Sequence, residues 1–191
     1  MIANRVAIAL SGAGRSLRNF LNLEKNFAYE VAAVISSNER CKGVSIAKEH
    51  NLPVFIGDFS GDKNLPNNLE NWLKKNNIDW IALAGFLKPF PVISAYRNKI
   101  INIHPALLPK YGGKGMHGIH VHRAVKQAGD KVSGATVHFV NENYDEGEII
   151  EQTEIDIAHC STAELIADHV FSVECILYPK TLHQLILSDK K

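Results

Sequence analysis

Short runs of uninterrupted apolar residues recur along this chain, and helical spacing follows most of them. Residues 6–10, 31–35 and 80–84 are the clearest runs. A strand buried on both faces reads this way, and such strands belong to parallel sheets covered by helices. Shorter strands are expected at 53–56 and 99–103. Helical patterns start near Ser16 and cover 39–50, 65–76 (through Leu65, Leu69, Trp72 and Leu73) and 121–128. Strands at 135–140 and 148–157 are joined only by the turn 141–147, so they are expected to pair antiparallel. A long helical pattern fills 162–188, and Pro179 is expected to kink or divide it. The predicted fold is α/β. It is an open, mostly parallel twisted sheet with helices on both faces, a C-terminal antiparallel strand and a long C-terminal helix. With 191 residues, no repeat and no linker, a single domain over 1–191 is expected.

Composition narrows the class. Apolar residues make up 46%, charged residues 21%, and the formal net charge is +1. That balance gives no electrostatic reason to expect a nucleic-acid or membrane partner. Three cysteines, Cys41, Cys160 and Cys175, show no paired metal-ligand spacing. Reduced thiols, a cytoplasmic location and no metal are the expectation. The first apolar run is too short for a signal sequence or a membrane span.

In an open α/β sheet, ligands sit beyond the carboxyl ends of the strands. Three loops fall there: 11–16, 85–91 and 104–118. The first, Ser11-Gly12-Ala13-Gly14-Arg15-Ser16, joins a strand to a helix. Glycines there let backbone approach a ligand, and a helix start presents N–H groups to an anion. No Gly-Lys-Ser/Thr follows, so it is not a P-loop, and Leu17 spoils a dinucleotide fingerprint.

The stretch Asn102-Ile103-His104-Pro105-Ala106-Leu107-Leu108-Pro109 carries the chemistry. On an extended segment, residues two apart point the same way, so Asn102 and His104 can aim at one small volume. An amide that donates hydrogen bonds and an imidazole that moves protons suit acyl-type transfer. Asp145, in Asn143-Tyr144-Asp145-Glu146-Gly147, is a candidate third member that would orient or charge the imidazole. His117, His120 and His122 have the look of a metal set. They are read as lining a polar cleft beside His104, and His138 is placed to face the same cleft.

Several islands together resemble the phosphoribosylglycinamide formyltransferases, folate-dependent enzymes of purine biosynthesis. They are Ile8-Ala9-Leu10-Ser11-Gly12-Ala13-Gly14, Leu83-Ala84-Gly85-Phe86-Leu87, and Ile101-Asn102-Ile103-His104-Pro105-Ala106-Leu107-Leu108-Pro109-Lys110-Tyr111. Ser133-Gly134-Ala135-Thr136-Val137-His138-Phe139-Val140, Asp145-Glu146-Gly147 and Glu174-Cys175-Ile176-Leu177-Tyr178-Pro179 follow in the family's order. The resemblance implies a Rossmann-like formyltransferase fold. It also implies transfer of the formyl group of 10-formyltetrahydrofolate to the amine of glycinamide ribonucleotide, both small-molecule substrates. Asn102, His104 and Asp145 would be catalytic. Gly12, Ala13, Gly14, Arg15, Ser16 and Glu174 would hold the ribonucleotide. Leu87, Lys88, Phe90, Val92, Val140 and Asn141 would join Asn102 and Asp145 around the folate.

Two positions depart from the pattern. Arg15-Ser16 stands where the family commonly has Ser-Asn, and Lys88 stands where arginine is common. A monomer or homodimer is expected. The alternatives are a formyltetrahydrofolate hydrolase and a sugar-nucleotide formyltransferase. The chain starts at its first strand and only a short tail follows Pro179. The regulatory domain of the hydrolases and the RNA-binding domain of the tRNA formyltransferases are therefore not expected.

Overall fold

The computed structural model describes residues 3–189. The fold is a seven-stranded, mostly parallel sheet that ends in antiparallel strands. Its strand order is β3-β2-β1-β4-β5-β6-β7. The chain falls into two compact units: one runs to Ile101 and resumes at His183, the other is Asn102–Leu182.

The first unit holds β1 (Asn4–Leu10), β2 (Tyr29–Ser36), β3 (Val54–Ile56) and β4 (Trp80–Leu83). It also holds α1 (Arg15–Leu23), α2 (Lys42–Glu49) and α3 (Leu65–Lys75). β1 pairs in parallel with β2 on one side and β4 on the other. The order therefore reverses at β1, and a reversal of this kind opens a crevice beyond the strand ends. Val6, Ala7, Ile8 and Ala9 are fully buried, which is why this strand is apolar without alternation.

β5 (Ile100–His104) begins in the first unit and ends in the second. The second unit continues with α4 (Ile119–Ala128), β6 (Val132–Phe139), β7 (Ile149–Asp156) and most of α5 (Ala163–Ser188). β6 and β7 pair antiparallel as expected, with a register shift between Val137 and His138. Bulges of this kind turn a strand and re-aim its side chains.

Several boundaries and one expected break differ from the sequence reading. α2 starts at Lys42 rather than at 39. The Asn38 side chain accepts the Arg40 N–H at 3.0 Å and its carbonyl accepts the Cys41 N–H at 3.3 Å, an asparagine turn that competes with helix. α4 starts at Ile119 rather than at 121. Pro179 does not divide α5, which is one helix through Ser188. A proline inside a helix costs about 3 kcal/mol. Leu177, Tyr178 and Leu182 around it are all at most 3% exposed. Burying each such side chain is worth about 1.5–3 kcal/mol, enough to carry the helix across. Among the described residues no helix is long and apolar enough to cross a membrane.

Candidate active site

Asn102 and His104 occupy alternate positions at the end of β5. His104 is buried and Asn102 half-buried. The His104 Nε2 lies 2.8 Å from the Tyr111 carbonyl oxygen. A carbonyl only accepts, so Nε2 carries a proton and donates it. Nδ1 lies 3.4 Å from Asp145 Oδ2. Both ring nitrogens therefore face acceptors, an arrangement that receives an imidazolium well.

Asp145 joins the group from the turn between β6 and β7. Its backbone is left-handed, with φ 57, a conformation uncommon for a residue with a side chain. The Gly113 N–H donates to its Oδ2 at 2.9 Å. Burial acts to raise this carboxyl. The contacts with His104 and His138, the charge of His104 and the Gly113 N–H outweigh burial and hold it far below the usual carboxylate range. Asp145 is thus an anion against which the histidines are set. Gly112 closes this loop: a Cβ there would meet the Leu108 side chain at 2.6 Å and Asp145 Cβ at 3.3 Å.

His138 comes from β6 and is 2% exposed. Its Nδ1 lies 2.8 Å from the Phe139 carbonyl, so that nitrogen donates. Its Nε2 lies 3.0 Å from Asn102 Nδ2 and 3.6 Å from Asp145 Oδ1. Asn102 Nδ2 is also 3.5 Å from Asp145 Oδ1. The amide must present its NH₂ to these two neighbours, because its oxygen would face a carboxylate.

A polar network fixes the segment that follows His104. The fully buried Thr136 donates to the Ala106 carbonyl at 2.6 Å. It accepts from the Leu108 N–H at 3.1 Å and from Gln152 Nε2 at 2.8 Å. Gln152 Nε2 also lies 2.9 Å from the Leu108 carbonyl. Tyr111, another left-handed residue (φ 58), donates its hydroxyl to Asp130 at 2.8 Å. That bond holds the carbonyl that meets His104.

The structure brings Asn102, His104 and Asp145 together as the sequence reading expected, with His138 beside them. Of the three other histidines only His122 belongs there. It is 4% exposed, and burial, then the charge of His104, lowers its pKa to about 4. His117 and His120 are exposed and pack edge-on at 5.5 Å. The expectation that all three line one cleft is therefore not met. On α4, residues two apart diverge by about 200°, so His120 and His122 separate. Thr136, Gln152, Tyr111 and Gly113 were not anticipated. Thr136 lies two residues before His138 on one strand face, a signal that was available. Tyr111 and Gly113 act through backbone atoms and give no side-chain signal.

The remaining candidates are distributed as follows. In the first unit, Gly14 (φ 74) precedes α1, whose first turn has no side-chain cap. A Cβ on Gly14 would meet Gly43 Cα and Ile46 Cδ1, each at 2.8 Å, so this glycine also serves packing. Gly12, Ala13 and Arg15 are exposed and Ser16 is half-buried. Ser11 accepts the Leu87 N–H at 3.1 Å, and the Ser11 N–H reaches the Gly85 carbonyl at 3.1 Å, which joins the two loops of this unit. Leu87 and Lys88 are exposed and Val92 is half-buried, while Phe90 is buried against Phe59 and Phe86. In the second unit, Val140, Asn141 and Glu174 are half-buried.

Likeness to known proteins points the same way in sequence and in structure. A family model described as formyl transferase matches residues 4–182. The chain is 36% identical over 182 residues to a chloroplastic phosphoribosylglycinamide formyltransferase of Arabidopsis thaliana. That match covers 91% of this chain and 62% of the relative, so the chain spans about three fifths of the plant protein's length. The crystal structure of phosphoribosylglycinamide formyltransferase from Bacillus halodurans is similar with TM-score 0.85 and 33% identity, over 96% of this chain and 95% of that one. Glycinamide ribonucleotide transformylase 1 from Geobacillus kaustophilus is similar with TM-score 0.86 and 31% identity, over 96% and 98%.

Proposed function

This chain belongs to the formyl transferase family, and on that premise we propose that it transfers a formyl group from 10-formyltetrahydrofolate to the amine of glycinamide ribonucleotide in purine biosynthesis. The observation that carries this reading is the convergence of Asn102, His104 and Asp145 within hydrogen-bonding or ion-pair reach. The similar proteins named for this activity support the choice of acceptor.

The folate supplies an activated formyl carbonyl, and the side chains do the rest. As the amine attacks, negative charge gathers on the formyl oxygen. Asn102 donates to that oxygen with the N–H now spent on its long 3.5 Å contact to Asp145. One preorganised donor of this type is worth about 2.7–4 kcal/mol in the transition state. His104, with its two ring nitrogens set against Asp145 and the Tyr111 carbonyl, would help to stabilise that charge. Asp145 orients the imidazole and helps to pass the proton of the attacking amine to N10 of the folate, whose bond to the formyl carbon breaks as tetrahydrofolate leaves. Gly12, Ala13, Gly14, Arg15 and Ser16 would bind the phosphate at the start of α1. The Arg15 guanidinium would supply charge where the family commonly has Ser-Asn. Glu174 would accept from the ribose hydroxyls. Leu87, Lys88, Phe90, Val92, Val140 and Asn141 would surround the folate. Phe90 acts through the aromatic cluster that supports Leu87 and Lys88.

We read 1–191 as one formyltransferase domain, because the family match runs through both compact units. The chain would act as a monomer or homodimer on small molecules. Cys41, Cys160 and Cys175 form no disulfide, which suits a reducing cytoplasm. The decisive experiment supplies purified protein with 10-formyltetrahydrofolate, with and without glycinamide ribonucleotide. Release of tetrahydrofolate should require the ribonucleotide and match the formylated product. Equal release in its absence would point to the hydrolase.

A further inference from the structure

Where β7 gives way to α5, three ligand-type side chains converge outside the site just described. His159, Cys160 and His169 each offer one donor atom, and these atoms all lie within 4.8 Å of one another. The two Nε2 atoms are 3.3 Å apart, and the rings stand edge to face at 80°. Cys160 is a free thiol, 2% exposed, beside an exposed His159 and a half-buried His169.

We propose that His159, Cys160 and His169 bind one zinc ion through two imidazole nitrogens and a thiolate, with solvent as the fourth ligand. Zinc–imidazole bonds are about 2.0–2.1 Å long, so two nitrogens on a tetrahedral ion stand about 3.3 Å apart. That separation is already present here. It is long for a direct hydrogen bond, which would in any case need one ring to donate and the other to accept through the same ring position. Two nitrogens and one sulfur form a borderline-soft set that suits zinc better than magnesium or calcium. On binding, the thiol proton leaves to solvent and the thiolate takes up the metal bond.

The backbone holds the three donors in place. Ala158 N–H is held by Asp156 Oδ1 at 2.7 Å and Cys160 N–H by the Ile157 carbonyl at 2.9 Å. Lys126 Nζ donates to the Cys160 carbonyl at 2.7 Å. Thr162 Oγ1 accepts from the Leu165 N–H at 3.2 Å and starts α5. His169 then stands on α5 between the buried Ile166 and Val170 positions. The ion would tie the connection after β7 to this helix and stabilise the folded chain by mass action. Cysteine spacing does not reveal the site, because its third ligand comes from a helix rather than from a second cysteine motif.

Cobalt(II) alone, added to the full chain, is the probe, and zinc is the competitor. Binding here gives a thiolate-to-cobalt charge-transfer band that saturates at one equivalent and is displaced by zinc. The catalytic histidines and Asp145 contain no thiolate and cannot produce that band. His159→Gln with His169→Gln should abolish the band and the zinc-dependent rise in melting temperature. Formyl transfer without added metal should be unchanged in that variant, which reports that it is folded. No band in the unsubstituted protein overturns the proposal. So does a band that survives the double substitution, since the thiolate would then hold the metal without His159 and His169.

Discussion

His138 Nε2 stands 3.0 Å from Asn102 Nδ2, while Nδ1 of the same ring is committed to the Phe139 carbonyl at 2.8 Å. The imidazole is therefore an acceptor toward Asn102, and it fixes which end of the amide faces Asp145. Asn102 is placed by its partner as much as by its own strand.

Replacing His138 separates positioning from packing. His138→Ala leaves the amide free to turn, and its turnover should fall by about 10–10²-fold, the scale of a misplaced catalytic group. The KM for the ribonucleotide should barely move. His138→Gln keeps an acceptor and should recover part of the rate. Steady-state kinetics on both variants decide the matter: equal losses in Ala and Gln would remove the positioning role.

Asp145→Asn removes the anion at the centre of the cluster. Turnover should drop by about 10²–10⁴-fold, with weaker effects on ribonucleotide affinity. Stability should respond as well. The folded-state carboxyl lies below its ordinary value of 3.8, so its ionised form stabilises the fold. That contribution is fully present above 3.8 and is lost as the pH falls toward the folded-state value. Urea unfolding across pH should show the gap between the parent chain and the D145N variant widest near neutrality and narrowing below pH 3.8. A gap that does not change with pH would mean that charge is not what Asp145 contributes.

Much of this is legible in the amino-acid sequence. Uninterrupted apolar runs marked the buried parallel strands, and the alternation at 102 and 104 put an amide and an imidazole on one side. Asp145 could be inferred only from its residue type, because strand pairing, not spacing, brings it to His104. The histidines at 117 and 120 do not join the cleft: they are exposed and pack on one another, while helical geometry turns His120 away from His122. Pro179 does not divide α5, because burial on either side outweighs a local breaker. Tyr111 and Gly113 were invisible because they contribute a carbonyl and an N–H, which every residue has.

His122 should make the fold acid-sensitive in a defined window. Burial, and then the charge of His104, lower its pKa from 6.5 to about 4. The unfolded chain therefore takes up a proton near pH 6.5 that the folded chain resists. Its contribution is complete above pH 6.5 and is lost as the pH falls from 6.5 toward 4. The shift corresponds to roughly 3 kcal/mol across that interval. His122→Gln should flatten the dependence of unfolding free energy on pH between those limits. An unchanged slope would assign the acid sensitivity to another group.

Thr136→Val tests whether the segment after His104 is held by polar bonds or by packing. Valine matches the shape of threonine but can neither donate to the Ala106 carbonyl nor accept from Leu108 and Gln152. Each buried group left without a partner costs about 1–3 kcal/mol. Gln152 can still reach the Leu108 carbonyl, and that bond limits the total. Chemical unfolding should show a loss of about 2–4 kcal/mol, on the scale of one or two such groups. Turnover should fall in step, because the segment that carries Ala106 and Leu108 sets the exit from His104. A variant as stable as the parent, with full turnover, would show that apolar packing alone holds this segment.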